Sequence, residues 1–184
     1  RGRLAYGYYL VNPKILGWKK KCVQDLFLMK PSGWKLFPMG EPMSPHGQPW
    51  RLDDKMLIYP FYELASKLGI KNICIHKGLV REEYEKRYPA YWRSAQVDDV
   101  RQAAKDWPDL NFIIFHSALR PFAGVSPEFE MNEFEASGRI RWTSDLIDIA
   151  SEIGTGNIFA ELGTSFASTA VTYPRFCAAF IGSL

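Results

Sequence analysis

The sequence predicts an α/β fold with a parallel sheet that is buried on both faces. Short apolar runs recur along the chain, each too short for a helix, rich in β-branched or aromatic residues and without regular polar alternation, which is typical of parallel strands. Amphipathic segments with helical periodicity lie between them, so the chain reads as successive βαβ units. The predicted strands are 33–37, 72–76, 111–116 and 157–161, with an earlier strand within 4–11.

Three helices are predicted, each flanked by residues that favour a helix start or stop. The first helix, 57–68, has Asp53 or Asp54 as its N-cap and ends at Gly69. The second helix, 97–107, ends before Pro108. The third helix, 146–153, is preceded by Thr143 or Ser144 as its start and ends at Gly154. By contrast, the segments after His76 and His116 are expected to run about 20 residues or more before the next helix, and loops of that length are usually functional.

Strands at intervals of about 40 residues fit roughly half of a (β/α)8 barrel or an open doubly wound sheet. A half-barrel alone would expose two unpaired strand edges, which folded proteins avoid. We therefore expect residues 1–184 to form part of a longer barrel domain that is truncated at both ends.

The composition indicates a globular protein and excludes several other classes. Apolar residues make up 47% and charged residues 23% of the chain, and the net charge of +3 favours neither nucleic acid nor anionic membranes as a partner. No apolar run approaches the roughly 20 residues needed to span a bilayer. The three cysteines have no ligand spacing, which favours reduced thiols and a cytoplasmic location.

Two histidines end successive predicted strands, and both are candidate site residues. His76 is followed by Lys77 and Gly78, and its neutral imidazole is a good ligand for zinc or a similar metal. His116 repeats this position one strand later and can be a second ligand or a general acid/base. For each residue the alternative is a half-buried structural histidine, but two at equivalent positions favour a site.

Three charged residues near these strand ends are candidate substrate-binding groups, each with a structural alternative. Glu161 can pair with a histidine or orient water, or it can form a salt bridge inside the barrel. Lys35 can bind a substrate anion or be carboxylated to bridge two metals, although a plain ion pair is favoured. Arg120 can hold a substrate carboxylate or simply be solvated.

The segment 163–167 (GTSFA) resembles the nucleophile elbow of α/β-hydrolases, with Ser165 as the nucleophile. That fold requires a histidine after the serine in the chain, and both strand-end histidines precede Ser165. Alanine also replaces the second glycine of the motif. A serine hydrolase is therefore disfavoured.

Segments 71–79 (KNICIHKGL) and 111–118 (NFIIFHSA) resemble the amidohydrolase-related family, which contains metal-dependent hydrolases as well as aminocarboxymuconate-semialdehyde and resorcylate decarboxylases. Three further segments agree in the correct order: 33–37, 50–54 and 157–163. The resemblance implies a (β/α)8 TIM-type barrel of which this chain covers roughly strands three to seven. His76 then matches the fifth-strand histidine that binds a divalent metal, and His116 matches the sixth-strand histidine that acts in proton transfer.

The expected function is metal-dependent hydrolysis of an amide, ester or lactone in a small-molecule substrate, with zinc as the expected metal. The alternatives are a non-oxidative decarboxylase of the same family and a non-catalytic barrel-derived binding protein. The family's strand-one and strand-eight ligands have no match in the sequence, so this stretch alone is expected to bind metal poorly and be inactive. The aromatic residues Tyr88, Tyr91, Trp92 and Phe122 fit a flat substrate or the interface of a homo-oligomer equally well.

Overall fold

The structure, a computed structural model, describes residues 7–120 and 127–184 and contains one five-stranded parallel sheet. The strands follow chain order: β1 (Tyr8–Val11), β2 (Gly33–Leu36), β3 (Asn72–His76), β4 (Asn111–Phe115) and β5 (Ile158–Ala160). Every adjacent pair is parallel, with Lys35 opposite Cys74 and Cys74 opposite Ile113. The predicted parallel α/β architecture is confirmed, and of the early strand expected within 4–11, residues 4–6 lie outside the described part.

Helices separate the strands and lie along the sheet. They are α1 (Trp18–Met29), α2 (Tyr59–Leu68), α3 (Tyr84–Arg87), α4 (Pro89–Ala95), α5 (Val100–Asp106), α6 (Pro127–Ser137), α7 (Thr143–Ile153), α8 (Gly163–Thr169) and α9 (Pro174–Gly182). No helix within residues 7–120 and 127–184 is long and apolar enough to cross a membrane.

Alternate residues of each strand face the helices and form the main core. Trp34 is fully buried against Phe61 of α2, with ring centroids 5.2 Å apart, and its indole N–H donates to the Ile70 carbonyl at 2.8 Å. Ile75 and Ile114 continue the same buried face on β3 and β4. Because side chains alternate along a strand, Lys35, Cys74 and His76 point to the opposite face of the sheet.

Two features of the loops and caps differ from the sequence-based expectation. The segment after His76 contains α3 and α4, and α6 begins at Pro127, so the long helix-free loops after the two histidines were wrongly predicted. Short, aromatic helices with proline at the start lack the extended apolar periodicity on which the prediction relied. The N-cap prediction for α2 was also wrong, since Asp54 accepts the N–H groups of Met56 and Leu57 in the preceding turn.

Other predicted boundaries are close to those observed. Gly69 and Gly154 end α2 and α7 with φ angles of 69° and 63°, as expected for glycine after a helix. Thr143 begins α7, where the Asp145 carboxylate accepts the N–H of Trp142 at 3.2 Å. Glycine ends both helices because it adopts a positive φ angle at almost no cost in conformational energy.

Candidate active site at the carboxyl ends of β3 and β4

The two strand-end histidines lie in direct contact. His76 is the last residue of β3, and His116 directly follows β4. His116 Nε2 and His76 Nδ1 are 3.2 Å apart, the distance of an N–H···N hydrogen bond in which the nitrogen that carries the hydrogen donates. The ring of Phe37, just after β2, meets His76 edge-on at a centroid distance of 4.7 Å. Three adjacent strands therefore converge on one small site.

Burial favours the neutral form of both imidazoles. Burial lowers the pKa of His76 from 6.5 to about 3, with a further contribution from the neighbouring His116. Burial also lowers the pKa of His116, assisted by Lys35 and opposed by Glu161. A neutral imidazole has one N–H and one lone pair, so the ring that donates in this hydrogen bond keeps a free lone pair on its other nitrogen, which can bind a metal ion or accept a proton.

Each ring also has a second nitrogen that is buried and lacks a hydrogen-bond partner among residues 7–120 and 127–184. These atoms are Nε2 of His76 and Nδ1 of His116. Buried polar atoms in native proteins nearly always have a partner, and an unpaired one is evidence for a ligand, ion or water. Nε2 of His76 is therefore available as one ligand for a metal ion. Within the described ranges, however, no group of three or more His, Cys, Asp or Glu side chains comes together to complete such a site.

The backbone that carries His116 is strained. His116, Ser117 and Ala118 have φ angles of 63°, 48° and 53°, a left-handed conformation that residues with a Cβ rarely adopt. Strain of this kind persists only where surrounding contacts enforce it, and it concentrates at functional sites.

Four side-chain hydrogen bonds enforce this turn. The Glu161 carboxylate accepts the His116 N–H at 3.2 Å, and the Ser117 hydroxyl donates to the Glu161 carbonyl at 3.0 Å. Ser165 donates to the His116 carbonyl at 2.8 Å, and Thr143 donates to the Ser117 carbonyl at 3.0 Å. The residues after β5 and the start of α7 thus fix the position of His116.

Ser165→Ala is expected to loosen this turn. The Ser165 side chain is fully buried and its hydroxyl bonds to backbone, so its loss should lower the free energy of unfolding by about 1–2 kcal/mol. Chemical denaturation gives this value, and the ring NMR signals of His116 should shift or broaden. Ser151→Ala on the exposed side of α7 is the control and should change neither. A Ser165→Ala protein with unchanged stability and unchanged His116 signals would contradict the positioning role.

The turn after His76 is held by a buried ion pair. The Lys77 ammonium donates to both Asp99 carboxylate oxygens, at 2.8 and 3.0 Å, and to the Ser94 carbonyl at 2.8 Å. Asp99 also accepts the Leu52 N–H at 2.9 Å, which ties the loop after β2 to the same pair. Neither charged side chain is more than 1% exposed. Lys77 and Asp99 therefore anchor the backbone next to His76.

Of the three predicted substrate-binding residues, Lys35 and Glu161 lie beside the histidine pair. Glu161 contacts the His116 backbone, and the Lys35 ammonium lies 3.2 Å from the centre of the Phe115 ring. Neither residue forms the ion pair that was the structural alternative, within the part of the chain that the structure describes.

The Arg120 side chain lies near Glu130 and Trp92 rather than beside the histidine pair. Its side chain is 10% exposed and lies 3.6 Å from the Glu130 carboxylate of α6, and its guanidinium is 5.9 Å from the Trp92 ring centre. No contact between Arg120 and either histidine is found within residues 7–120 and 127–184. Its role in substrate binding stays a prediction.

A cavity of about 250 Å³ is lined in part by Phe37. Its wall is built from the loops after β2 and β3, including Met39, Glu41, Arg81 and Tyr84. Phe37 both lines this cavity and contacts the His76 ring. Of the aromatic residues expected near the site, Tyr91 and Trp92 lie in α4 and are largely buried, whereas Phe122 lies outside the described residues.

Sequence reasoning missed the residues that position the histidines. Ser165 had been considered only as a nucleophile, whereas its hydroxyl is buried and bonded to the His116 carbonyl. Asp99 follows Asp98 in an ordinary helix-start segment, and no local pattern distinguishes the buried carboxylate from the exposed one. Phe37 extends an apolar run, which indicates a strand but gives no sign of ring contact with His76.

Comparisons with known proteins show the fold and nothing finer. No family model matches the sequence, and no curated protein matches it. Among solved structures, the chain is similar to an uncharacterized TIM-barrel protein from Bordetella bronchiseptica, with a TM-score of 0.51 and 14% sequence identity. The match covers 96% of this chain and 57% of that protein. The parallel sheet and its helices are therefore those of part of a TIM barrel.

Proposed function

We propose that the chain carries the metal-binding and proton-transfer residues of a hydrolase of the amidohydrolase-related family. The observation that supports the proposal most is the pair of contacting, neutral, half-buried histidines at the carboxyl ends of adjacent parallel strands. In TIM barrels the active site lies at that end of the sheet. Hydrolysis of an amide, ester or lactone is the reaction that this arrangement fits best.

His76 would hold the metal ion, since its ring is neutral and one of its nitrogens is buried without a partner among the described residues. When bound, a divalent ion of the zinc type supplies a Lewis acid that makes water nucleophilic near neutral pH. With the metal on Nε2 of His76, the Nδ1–H of His76 would donate to Nε2 of His116, so His116 accepts a proton from the attacking water when this hydrogen bond opens and returns it to the leaving group. Glu161 holds the His116 turn in place, and the ring of Phe37 packs against the ring of His76.

The proposal places the five strands at positions three to seven of an eight-stranded barrel. His76 then belongs to strand five and His116 to strand six, in line with the resemblance of 71–79 and 111–118 to that family. A complete zinc site needs three or four protein ligands. The remaining ligands would come from strands one and eight of the intact protein.

The test is the metal content of the intact protein, measured by elemental analysis for wild type and His76→Ala. Wild type is expected to contain close to one divalent ion per chain, and His76→Ala is expected to lose most of it. His46→Ala is the matched control, because His46 is exposed in the loop after β2, and this variant should retain the metal. Circular dichroism confirms that each variant is folded.

A folded wild-type protein that contains no metal and takes up none when zinc is supplied would contradict the proposal. It would favour a barrel-derived binding protein whose histidines are structural. If metal is present, CO2 release from the substrates that react would identify a decarboxylase, whereas a hydrolytic product retains every carbon atom.

A further inference from the structure

The cavity that Phe37 lines is built from the loops that follow β2 and β3. Met39 and Val80, which are 7% and 3% exposed, and the half-buried Leu79 and Tyr84 form the apolar part of its wall. Pockets that enclose a whole ligand usually measure about 300–1,000 Å³. A cavity of about 250 Å³ therefore suits one group of a ligand rather than the whole molecule.

The chemistry of the lining favours an uncharged ring. The charged residues Glu41 and Arg81 stand in the lining with exposed side chains of opposite sign, and Arg81 lies 3.4 Å from the Glu83 carboxylate. The lining therefore favours neither an anion nor a cation. Phe37 and Tyr84 add two aromatic rings to the wall, and aromatic side chains pack well against another ring, edge-on or offset.

The wall of the cavity is held by its surroundings. Leu79 has a φ of 41°, which residues with a Cβ rarely adopt, and its N–H donates to the Leu119 carbonyl at 2.8 Å. The Tyr84 ring meets the rings of Tyr88 and Tyr91 edge-on, with centroids 5.1 and 6.3 Å apart. Backbone strain of this kind clusters at functional sites, and a preformed pocket binds at a lower entropic cost than one that must first be ordered.

Phe37 and Leu79 connect the cavity to the histidine pair. The Phe37 ring lines the cavity and contacts the His76 ring at a centroid distance of 4.7 Å. Leu79 lies three residues after His76, and the carbonyl that it bonds belongs to Leu119, three residues after His116. A group held in the cavity therefore contacts residues that are joined to both histidine turns.

We propose that this cavity is a specificity subsite that holds an uncharged aromatic ring, of the size of a phenyl group, carried by the substrate. Phe37 and Tyr84 contact the ring, and Met39 and Val80 limit how deeply it enters. The proposal rests on the proposed function for the reaction itself. Binding of the ring requires neither a metal ion nor turnover, so the two proposals can fail separately.

The test is a titration of the intact protein with benzyl alcohol, followed by NMR of ¹³C-labelled methionine methyl groups and of the histidine rings. The Met39 methyl signal is expected to shift and to saturate, because Met39 lines the cavity. The His76 ring signals should shift with the same midpoint, since Phe37 contacts both the cavity and His76. Met43 and Met56, which are 86% and 89% exposed, are the controls and should not shift.

Two substitutions in the wall show where the ring binds. Val80→Phe fills the cavity with a ring of its own and is expected to abolish the Met39 shift. Tyr84→Ala removes one aromatic wall and should raise the midpoint about fivefold, whereas Tyr84→Phe keeps the ring and should bind as wild type does. Circular dichroism confirms that each variant is folded, and the two variants of the half-buried Tyr84 decide the matter even if Val80→Phe does not fold.

A Met39 signal that does not shift, or that shifts only in step with Met43 and Met56, would overturn the proposal. A saturable shift of Met39 without any change at His76 would also overturn it, since the ring would then bind without reaching the histidine pair. Metal content tests the hydrolase separately. A protein that contains metal but shows no Met39 shift would lose only the subsite, whereas Met39 and His76 shifts in a metal-free protein would support ring binding and contradict the hydrolase.

Discussion

Lys77→Met is expected to lower the free energy of unfolding by about 3–5 kcal/mol, because it leaves the buried Asp99 carboxylate without its counter-charge. Lys77 and Asp99 are 0% and 1% exposed, and water cannot replace the lost ammonium. The same change frees the Ser94 carbonyl and loosens the backbone next to His76. Urea denaturation gives the loss of stability, and the amide NMR signals of residues 76–78 should move.

The double variant Lys77→Met/Asp99→Asn separates the charge from the rest of the pair. Asparagine keeps an oxygen that can accept the Leu52 N–H, which Asp99 accepts at 2.9 Å, but it has no charge to bury. The double variant should therefore be more stable than Lys77→Met alone, and the two substitutions should couple by about 1 kcal/mol or more. Lys21→Met, at an exposed pair with Asp25, is the control and should leave stability unchanged. A double variant that is less stable than Lys77→Met would refute the account.

The sheet could be predicted from the sequence because short apolar runs rich in β-branched and aromatic residues are typical of parallel strands. Strand β3 was predicted at 72–76 and is observed at Asn72–His76, and the glycine stops at Gly69 and Gly154 are observed as predicted. Those signals are local: each depends on the residues of one element and on the conformational freedom of one glycine. The same local signals led to the prediction that His76 and His116 end adjacent strands at one face, and the structure confirms it.

The contacts that support the histidines could not be predicted, because they join residues far apart in the chain. Ser165 is 49 positions from His116, and Asp99 is 22 positions from Lys77. Whether a serine is a nucleophile or a buried donor depends on where its hydroxyl points, and a single sequence does not contain that information. The prediction of an ion pair for Lys35 was wrong for the same reason. Among the described residues, no carboxylate on a neighbouring strand lies within ion-pair distance of its ammonium, which contacts the Phe115 ring instead.

Gly78→Ala is expected to be as damaging as the loss of Lys77. Gly78 has a φ of 71°, and a Cβ there would meet the backbone of the other histidine turn: the Leu119 carbonyl oxygen, the Ala118 carbon at 2.5 Å and the Leu119 nitrogen at 2.7 Å. These are main-chain atoms that cannot rotate away, and they belong to the strained turn that carries His116. A loss of about 3 kcal/mol or more in the free energy of unfolding is expected from the positive φ and the overlap together.

Gly69→Ala provides the control that separates these two causes. Gly69 has nearly the same φ, 69°, but no atom lies within 4 Å of the position where its Cβ would be. The backbone cost alone should then be about 1 kcal/mol, and the excess at Gly78 measures the contact between the two turns. Because Leu79 also donates to the Leu119 carbonyl at 2.8 Å, an added methyl group should push the turns apart and separate His76 from His116. If Gly78→Ala and Gly69→Ala lost the same stability, the two histidine turns would not be packed against each other, and the distance between the rings would have to be set by some other contact.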